Sequence, residues 1–571
     1  MRIPVIYATI ILLLNNCIVR KNKSFIYNKT FTMRILALCA TIILTILFSA
    51  FAAAVMTYTS LAVPIGPWIE PTLALIGMLL VQLLFSYFIA SEKQSILTIA
   101  TIAGGISGIV ASACAWSIPT IHFLEPALFQ EWLRTPWYFI GAIGVLILSA
   151  GALGLMMAHK YEHILLPDVA YTFPMAQLVY KMIAVQNQMR KMYELLVGLI
   201  GSFIFSCMHF FMHIIPDKFV LIKAQELLWF CVPNIVMRLD VVPMLWAIGF
   251  ITGHVLAVPF AVGAFAKLLI IDPCHKIFFS ALKSDSFLLA FCAGMIVQGT
   301  IMSFISFPKM LMTTLEKWRA GGTLHQVIQE KCSIIRLSLI EVFLGCVTFG
   351  IVSYYLRVSF LGMAFVLAGS AICAYQLMLF MGKVGLAPLG RFATFVMVPG
   401  MIIFGFTAVQ AAVVAAFVEI SGGVAADALS GKKIAQLARM EQKTVSMFQW
   451  LSLSVCSLCV GGAFWLLITH FGIGSAELIA QKAQSRALLI NAYGFDIAAM
   501  GFGVLFGFLL KKLRVNASLV LGGLLMPLDW SLILIASGLS TYLVKDKEAQ
   551  YPFWSGVFAA SSLWMLLKTL F

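Results

Sequence analysis

Charge is scarce in this chain. Only 11% of its 571 residues are charged, against 62% hydrophobic, a balance that excludes an ordinary soluble globule and fits a chain whose solvent is lipid. Acidic side chains are scarcer still, 23 against 38 Lys and Arg, for a formal net charge of +15. The basic excess sits in short loops between apolar runs, where it marks the cytoplasmic side of a membrane protein, so a nucleic-acid partner is excluded. No Gly-x-x-x-x-Gly-Lys-Ser/Thr loop occurs, and ATP-driven pumping by this chain alone is not expected. There is no Gly-x-Ser-x-Gly elbow and no His-Glu-x-x-His helix, and no other constellation asks for an enzyme. The 12 cysteines are scattered through apolar segments without disulfide spacing. Their one close pair, Cys456-Ser-Leu-Cys459, reads as packing inside a span.

What is present is a succession of apolar runs. An α-helix needs about 20 apolar residues to cross the hydrocarbon, and in lipid every backbone amide must be paired internally. The chain is therefore read as an all-α, polytopic integral membrane helical bundle of about 14–16 transmembrane helices with broken or re-entrant segments. Spans are expected at 35–57, 72–90, 95–118 and 137–157, and among the later ones at 392–418. Residues 1–32 read as a dispensable N-terminal extension, 33–308 as the first half of the bundle, 309–336 as a cytoplasmic connection and 337–571 as the second half. Arg20, Lys21, Lys23, Lys29 and Arg34 precede the first span, and Lys160, Lys181, Arg190 and Lys191 follow the fourth. The loop 58–71 has no Lys or Arg, which puts the N-terminus in the cytoplasm.

The central stretch, 91–119, carries no charge from Ser95 to Trp116 and has Gly104, Gly105 and Gly108 at its middle. Gly104 and Gly108 are one helical turn apart, leaving a groove for a neighbouring helix or for a solute. Glu92, the run Thr98 to Gly105 and the closing Ile118-Pro119 resemble an early segment of the oligopeptide transporter family, which includes the metal-phytosiderophore (yellow stripe-like) carriers. Other segments are similar to that family in turn: Pro174 within 165–178; Pro243 with Gly249 and Gly253; Ile271-Asp272-Pro273; Gly382 with Gly385, Pro388 and Gly390; 413–431 with Asp427 and Gly431; and Gly522-Gly523 with Pro527 and Asp529. These matches run from Met33 to Val544. Met175 and Lys383 stand where the family often has an acid, and Leu429 where it has a lysine. The likeness of the Pro243 and Pro527 segments hints at two related halves, an architecture in which substrate sites form at broken helices.

The resemblance implies proton-coupled uptake of small peptides, or alternatively of metal chelates. A non-transporting, scaffold or channel-like membrane protein and an intramembrane enzyme are the readings from other classes. Expected partners are a peptide or small-molecule substrate, protons as coupling ion and the lipid bilayer. No cofactor is implied, and an oligomer is compatible with the sequence. The substrate and coupling-ion pathway is expected at Gly104, Gly105, Pro174, Gly249, Gly253, Glu341, Gly385, Pro388 and Asp529.

Intramembrane acids are functional candidates by default. Asp529 ranks first because it follows Pro527, Glu341 second, and Asp496 is a third candidate near a helix break. Asp427 and Glu419 are expected to be solvated or capping near a membrane exit. His209 and His213, four residues apart, have metal spacing but lack a nameable third ligand, so an interfacial pair is preferred over a metal site.

Overall fold

The computed structural model describes residues 24–63, 69–84, 90–168, 171, 173–184, 189–212, 218–226, 233–240, 242–280, 282–320, 349–351, 357–384, 387–475, 477–492, 496–544 and 547–568. Glu341, Gly385 and His213 lie outside the described residues.

The chain opens with α1 (Ser24–Ala62), α2 (Ile69–Leu84) and α3 (Ala90–Ser117). The short helices α4 (Thr120–Leu124) and α5 (Pro126–Arg134) lead into α6 (Pro136–Leu165), α7 (Pro174–Ala184) and α8 (Met189–Met212). Pro126 and Pro136 take the first helical turn, where the missing amide proton costs nothing. A hairpin follows: β1 (Lys218–Glu226) pairs antiparallel with β2 (Pro233–Asp240), Lys218 opposite Asp240, with an irregularity between Val220 and Ile222. It adds the one two-stranded sheet among the described residues to a helical membrane bundle.

Next come α9 (Pro243–Thr252) and α10 (His254–Ala266), a π-helical turn at Lys267–Ile271, α11 (Asp272–Phe278) and α12 (Ser284–Ala320). The remaining helices are α13 (Phe360–Val384), α14 (Leu389–Phe404), α15 (Ala408–Leu437), α16 (Gln442–Phe471), α17 (Gln481–Ile490), α18 (Ile497–Lys512), α19 (Ala517–Leu525), α20 (Leu528–Ser540) and α21 (Lys547–Lys568). Among the described residues seven helices are long and apolar enough to cross a membrane, and six shorter apolar helices accompany them.

Three boundaries differ from the sequence reading. The helix containing the first span begins at Ser24, because 24–33 has no Pro or Gly to stop it; position 33 falls inside α1. Helix α12 runs without interruption to Ala320, so the polar interval expected from 309 begins as helix. The single span expected at 392–418 is two helices. Gly405, in the left-handed region at φ 65°, ends α14. Thr407 and Gln410 then close a capping box that starts α15.

Helices α3 and α15 form the centre, packed on each other, with α1, α2 and α16 also against α3 and α6, α13, α14 and α7 also against α15. Nearly every residue of α15 from Ala411 to Ala435 is buried. Small residues make this density feasible: a Cβ on Gly154 of α6 would lie 2.5 Å from Ser421 O of α15, and one on Gly144 2.8 Å from Ser457 O of α16. Backbones in contact replace the apolar driving force that lipid does not supply. A second, smaller core joins α12, α18 and α19 through Phe287, Phe291, Leu510 and Leu524.

Candidate functional site

The glycines of α3 receive α2 from one side. A Cβ on Gly104 would run into Leu73, one on Gly108 into Ile69, and one on Gly105 would fall 2.8 Å from Glu70 Cγ and 3.0 Å from Asp427 Oδ2. Gly105 is thus a notch in which two carboxyl groups meet, Glu70 from the first turn of α2 and Asp427 from the middle of α15. Both are buried, 7% and 3% exposed. Asp427 Oδ2 and Glu70 Oε1 crowd the same point, 3.0 and 3.1 Å from where a Gly105 Cβ would be, within hydrogen-bonding reach of each other; a bond between them requires a proton on one of the two, since an ionised carboxylate only accepts. Asp427 Oδ1 is buried with no hydrogen-bond partner. Asp427 was expected to be solvated; the burial of α15 on several sides overturns that.

Two further ionic groups hang on α15. Glu419, also expected to be solvated or capping, is 0% exposed and pairs with Arg486 Nη2 from α17. Ser117 Oγ donates to Glu419 and accepts from Arg486 Nη1, which also donates to Trp116 O at 3.2 Å. Every oxygen and two of the guanidinium nitrogens are used, which is what a buried ion pair needs to offset desolvation. Beside them, Lys482 Nζ lies 3.1 Å from the centroid of the Trp116 ring. Lower on α15, Lys432 pairs with Glu162 of α6, and Lys433 donates to Leu166 O at 2.9 Å. A hydroxyl ladder ties α1, α3 and α16: Ser49 donates to Ser452 Oγ at 2.8 Å, Ser107 lies 2.9 Å from the same oxygen, and Ser452 donates to Ala103 O.

A separate pair of broken helices stands beside this centre. Gly253, at φ 64° and ψ −145°, interrupts the path from α9 to α10, a conformation open essentially only to glycine. Pro527 interrupts α19 and α20. The two broken elements lie against each other through glycines. A Cβ on Gly249 would be 2.9 Å from Leu534 O, one on Gly538 2.6 Å from Ala257 Cβ and 2.9 Å from Gly253 O, and one on Gly523 2.9 Å from Ala264 N. Gly249 and Gly253 are therefore brought to the middle and far part of α20, the helix that carries Asp529, half-buried, in its first turn. Gly104 and Gly105 belong to the carboxyl notch instead.

The remaining sequence candidates fall elsewhere. Pro174 opens α7 just after Phe173, a non-glycine residue at φ 48°, whose amide donates to Gly382 O at 2.8 Å. The Pro174 segment and the start of the Gly382 to Pro388 segment therefore touch. Asp496 is a helix cap, accepting from Ala499 N at 2.8 Å. Cys456 is buried and Cys459 half-buried on α16, both free thiols. No group of three or more metal-ligating side chains occurs among the described residues.

Neither protein-family models nor curated proteins match this chain. The geometry alone therefore ranks its residues. Glu70 escaped sequence reasoning because it sits between Ile69 and Pro71, next to a loop that carries no base. Its signal is that it is the single charged residue between Arg34 and Glu92, too isolated to be solvated as part of a polar loop. Arg486 and Lys432 were missed because each lies in a semi-polar stretch that hydropathy assigns to the surface.

Proposed function

We propose that this chain is a secondary active transporter, similar to the oligopeptide transporters, that takes up small peptides together with protons by alternating access. The observation that carries the reading is the contact between two discontinuous helices, α9–α10 and α19–α20, across glycines. Broken helices release backbone amides and carbonyls, and in lipid such groups are tolerated only where they face protein or a cavity. Carriers place substrate and ion sites at such elements. The buried ionic groups on α15 add support, since charged side chains at that depth are otherwise costly.

The cargo class comes from the resemblance of the Pro174, Pro243, Gly382 and Gly522 segments. Metal chelates are the second cargo reading, because the same family includes metal-phytosiderophore carriers; Met175 and Lys383 stand where that family often has acids and favour neither cargo. The basic residues before α1 favour a cytoplasmic N-terminus and a plasma or inner membrane. The test is uptake by proteoliposomes of a labelled tetrapeptide and of a ferric chelate, with and without an inward proton gradient. Saturable accumulation that collapses with a protonophore is expected. Uptake that only equilibrates, whatever the gradient, would refute the transporter reading.

A further inference from the structure

We propose that Glu70 and Asp427, meeting in the notch left by Gly105, hold one shared proton and that this is the proton exchanged during transport. The inference rests on the transport reading and names its coupling site.

Among the described acids inside or beside the spans, three are already occupied. Glu419 faces Arg486, Glu162 faces Lys432 and Asp496 caps a helix. Glu70 and Asp427 instead face each other, with the orphaned Asp427 Oδ1 buried beside them. Two carboxyls in hydrogen-bond contact titrate as a unit, and the pair rather than either residue owns the proton. Uptake of the proton is the step Asp427–COO⁻ + H⁺ → Asp427–COOH, the new hydroxyl donating to Glu70; release reverses it, and nothing else is made or broken.

Among the described side chains no counter-cation faces the pair. Along α15 the charged neighbours are Glu419 and Lys432, both in ion pairs, and Lys433, whose ammonium donates to Leu166 O and Gln436 Oε1. Helix α3 adds Glu92 and Lys93 at its far end and Cys114 toward the other. The packed helices α1, α7 and α13 contribute Tyr58, Tyr180 and Tyr375; His159 of α6 contacts Leu155 O at 2.9 Å. A pair so placed needs its proton to stay closed. Losing it sets two anions against each other, a repulsion relieved by parting α2 from α15. Position suits that movement: α2 meets α15 at Glu70 in its first turn, and α3, which carries the notch, packs on both. Proton release and helix separation are then one event.

The experiment is an infrared difference titration of the purified full chain in nanodiscs, in H2O and D2O, beside proteoliposome uptake of a labelled tetrapeptide. Wild type should show a carboxylic-acid band that shifts in D2O, and Glu70→Gln and Asp427→Asn should each remove or move it. Glu70→Gln, which keeps shape and hydrogen bonding, should abolish gradient-driven accumulation while tetrapeptide exchange persists. Gly105→Ala keeps both acids but places a methyl between them, and the band should move; this variant serves if Asp427→Asn does not fold. A band unchanged in all three, accumulation that survives Glu70→Gln, or a band displaced by sodium at constant pH overturns the proposal. Wild-type protein that shows the band yet accumulates neither peptide nor chelate under any gradient overturns the transport reading instead, and the coupling role falls with it.

Discussion

Truncating Arg486 to Met tests whether the Glu419 group is a true buried ion pair. The change keeps most of the side-chain volume on α17 but leaves a 0% exposed carboxylate with Ser117 as its remaining hydrogen-bond partner. Breaking a buried pair from one side costs about 3–5 kcal/mol, because the stranded charge keeps its desolvation penalty. Lys482, one turn before Arg486, still acts on Glu419, which puts the expectation at the lower end. Glu419→Gln with Arg486→Met removes both charges, and should be clearly more stable than Arg486→Met alone. The assay is reversible unfolding in mixed micelles with rising SDS, read as a double-mutant cycle. An Arg486→Met protein as stable as wild type, or a double variant no better than that single one, would refute the pairing argument.

Gly154→Leu should destabilise or prevent assembly, since even a Cβ there sits 2.5 Å from Ser421 O; overpacking typically costs about 1–3 kcal/mol, and a normal yield of folded protein by size exclusion would contradict it. Gly253→Ala forces a side chain onto φ 64°, a strain of about 1–3 kcal/mol, and SDS unfolding at unchanged midpoint would show that the break is not so constrained. Burial pushes the Lys482 ammonium from 10.5 down to about 7, with Glu419 opposing. Between those values the unfolded chain holds more protons, so stability should rise with pH across that window and the slope should vanish in Lys482→Met. Thermal midpoints with the same slope in both proteins would remove Lys482 as the cause.

Hydropathy made the bundle legible because each crossing needs a long uncharged run, and Ser95 to Trp116 advertises one. Helix ends were harder. Gly405 sits in an apolar stretch that averages as one span, and only its left-handed conformation and the Thr407 cap divide it. The glycines of α3 were visible as a groove, but not what fills it, because Glu70 and Asp427 are 357 residues apart (427 − 70) and only folding brings them together. The acids were misjudged for a related reason. A carboxylate near small residues reads as an exit loop when the helix is taken alone, whereas α15 is enclosed by protein along most of its length. Asp496 went the other way, from candidate to cap.

The enclosure of α15 also bears on how the protein is made. Glu419, Asp427 and Lys432 lie on one hydrophobic helix, and an Asp or Lys at mid-membrane costs about 2.5–3.5 kcal/mol on the insertion scale. Released alone into lipid, α15 would carry several such penalties. By the time the ribosome reaches it, however, Glu70 on α2 and Glu162 on α6 have already been synthesised, so Asp427 and Lys432 can meet their partners as they emerge. Arg486 comes later, leaving Glu419 to wait at the mouth of the insertion machinery until α17 arrives. Biogenesis of this bundle is therefore expected to stall between the synthesis of α15 and that of α17, and a nascent chain ending between them should be the one that quality-control proteases take.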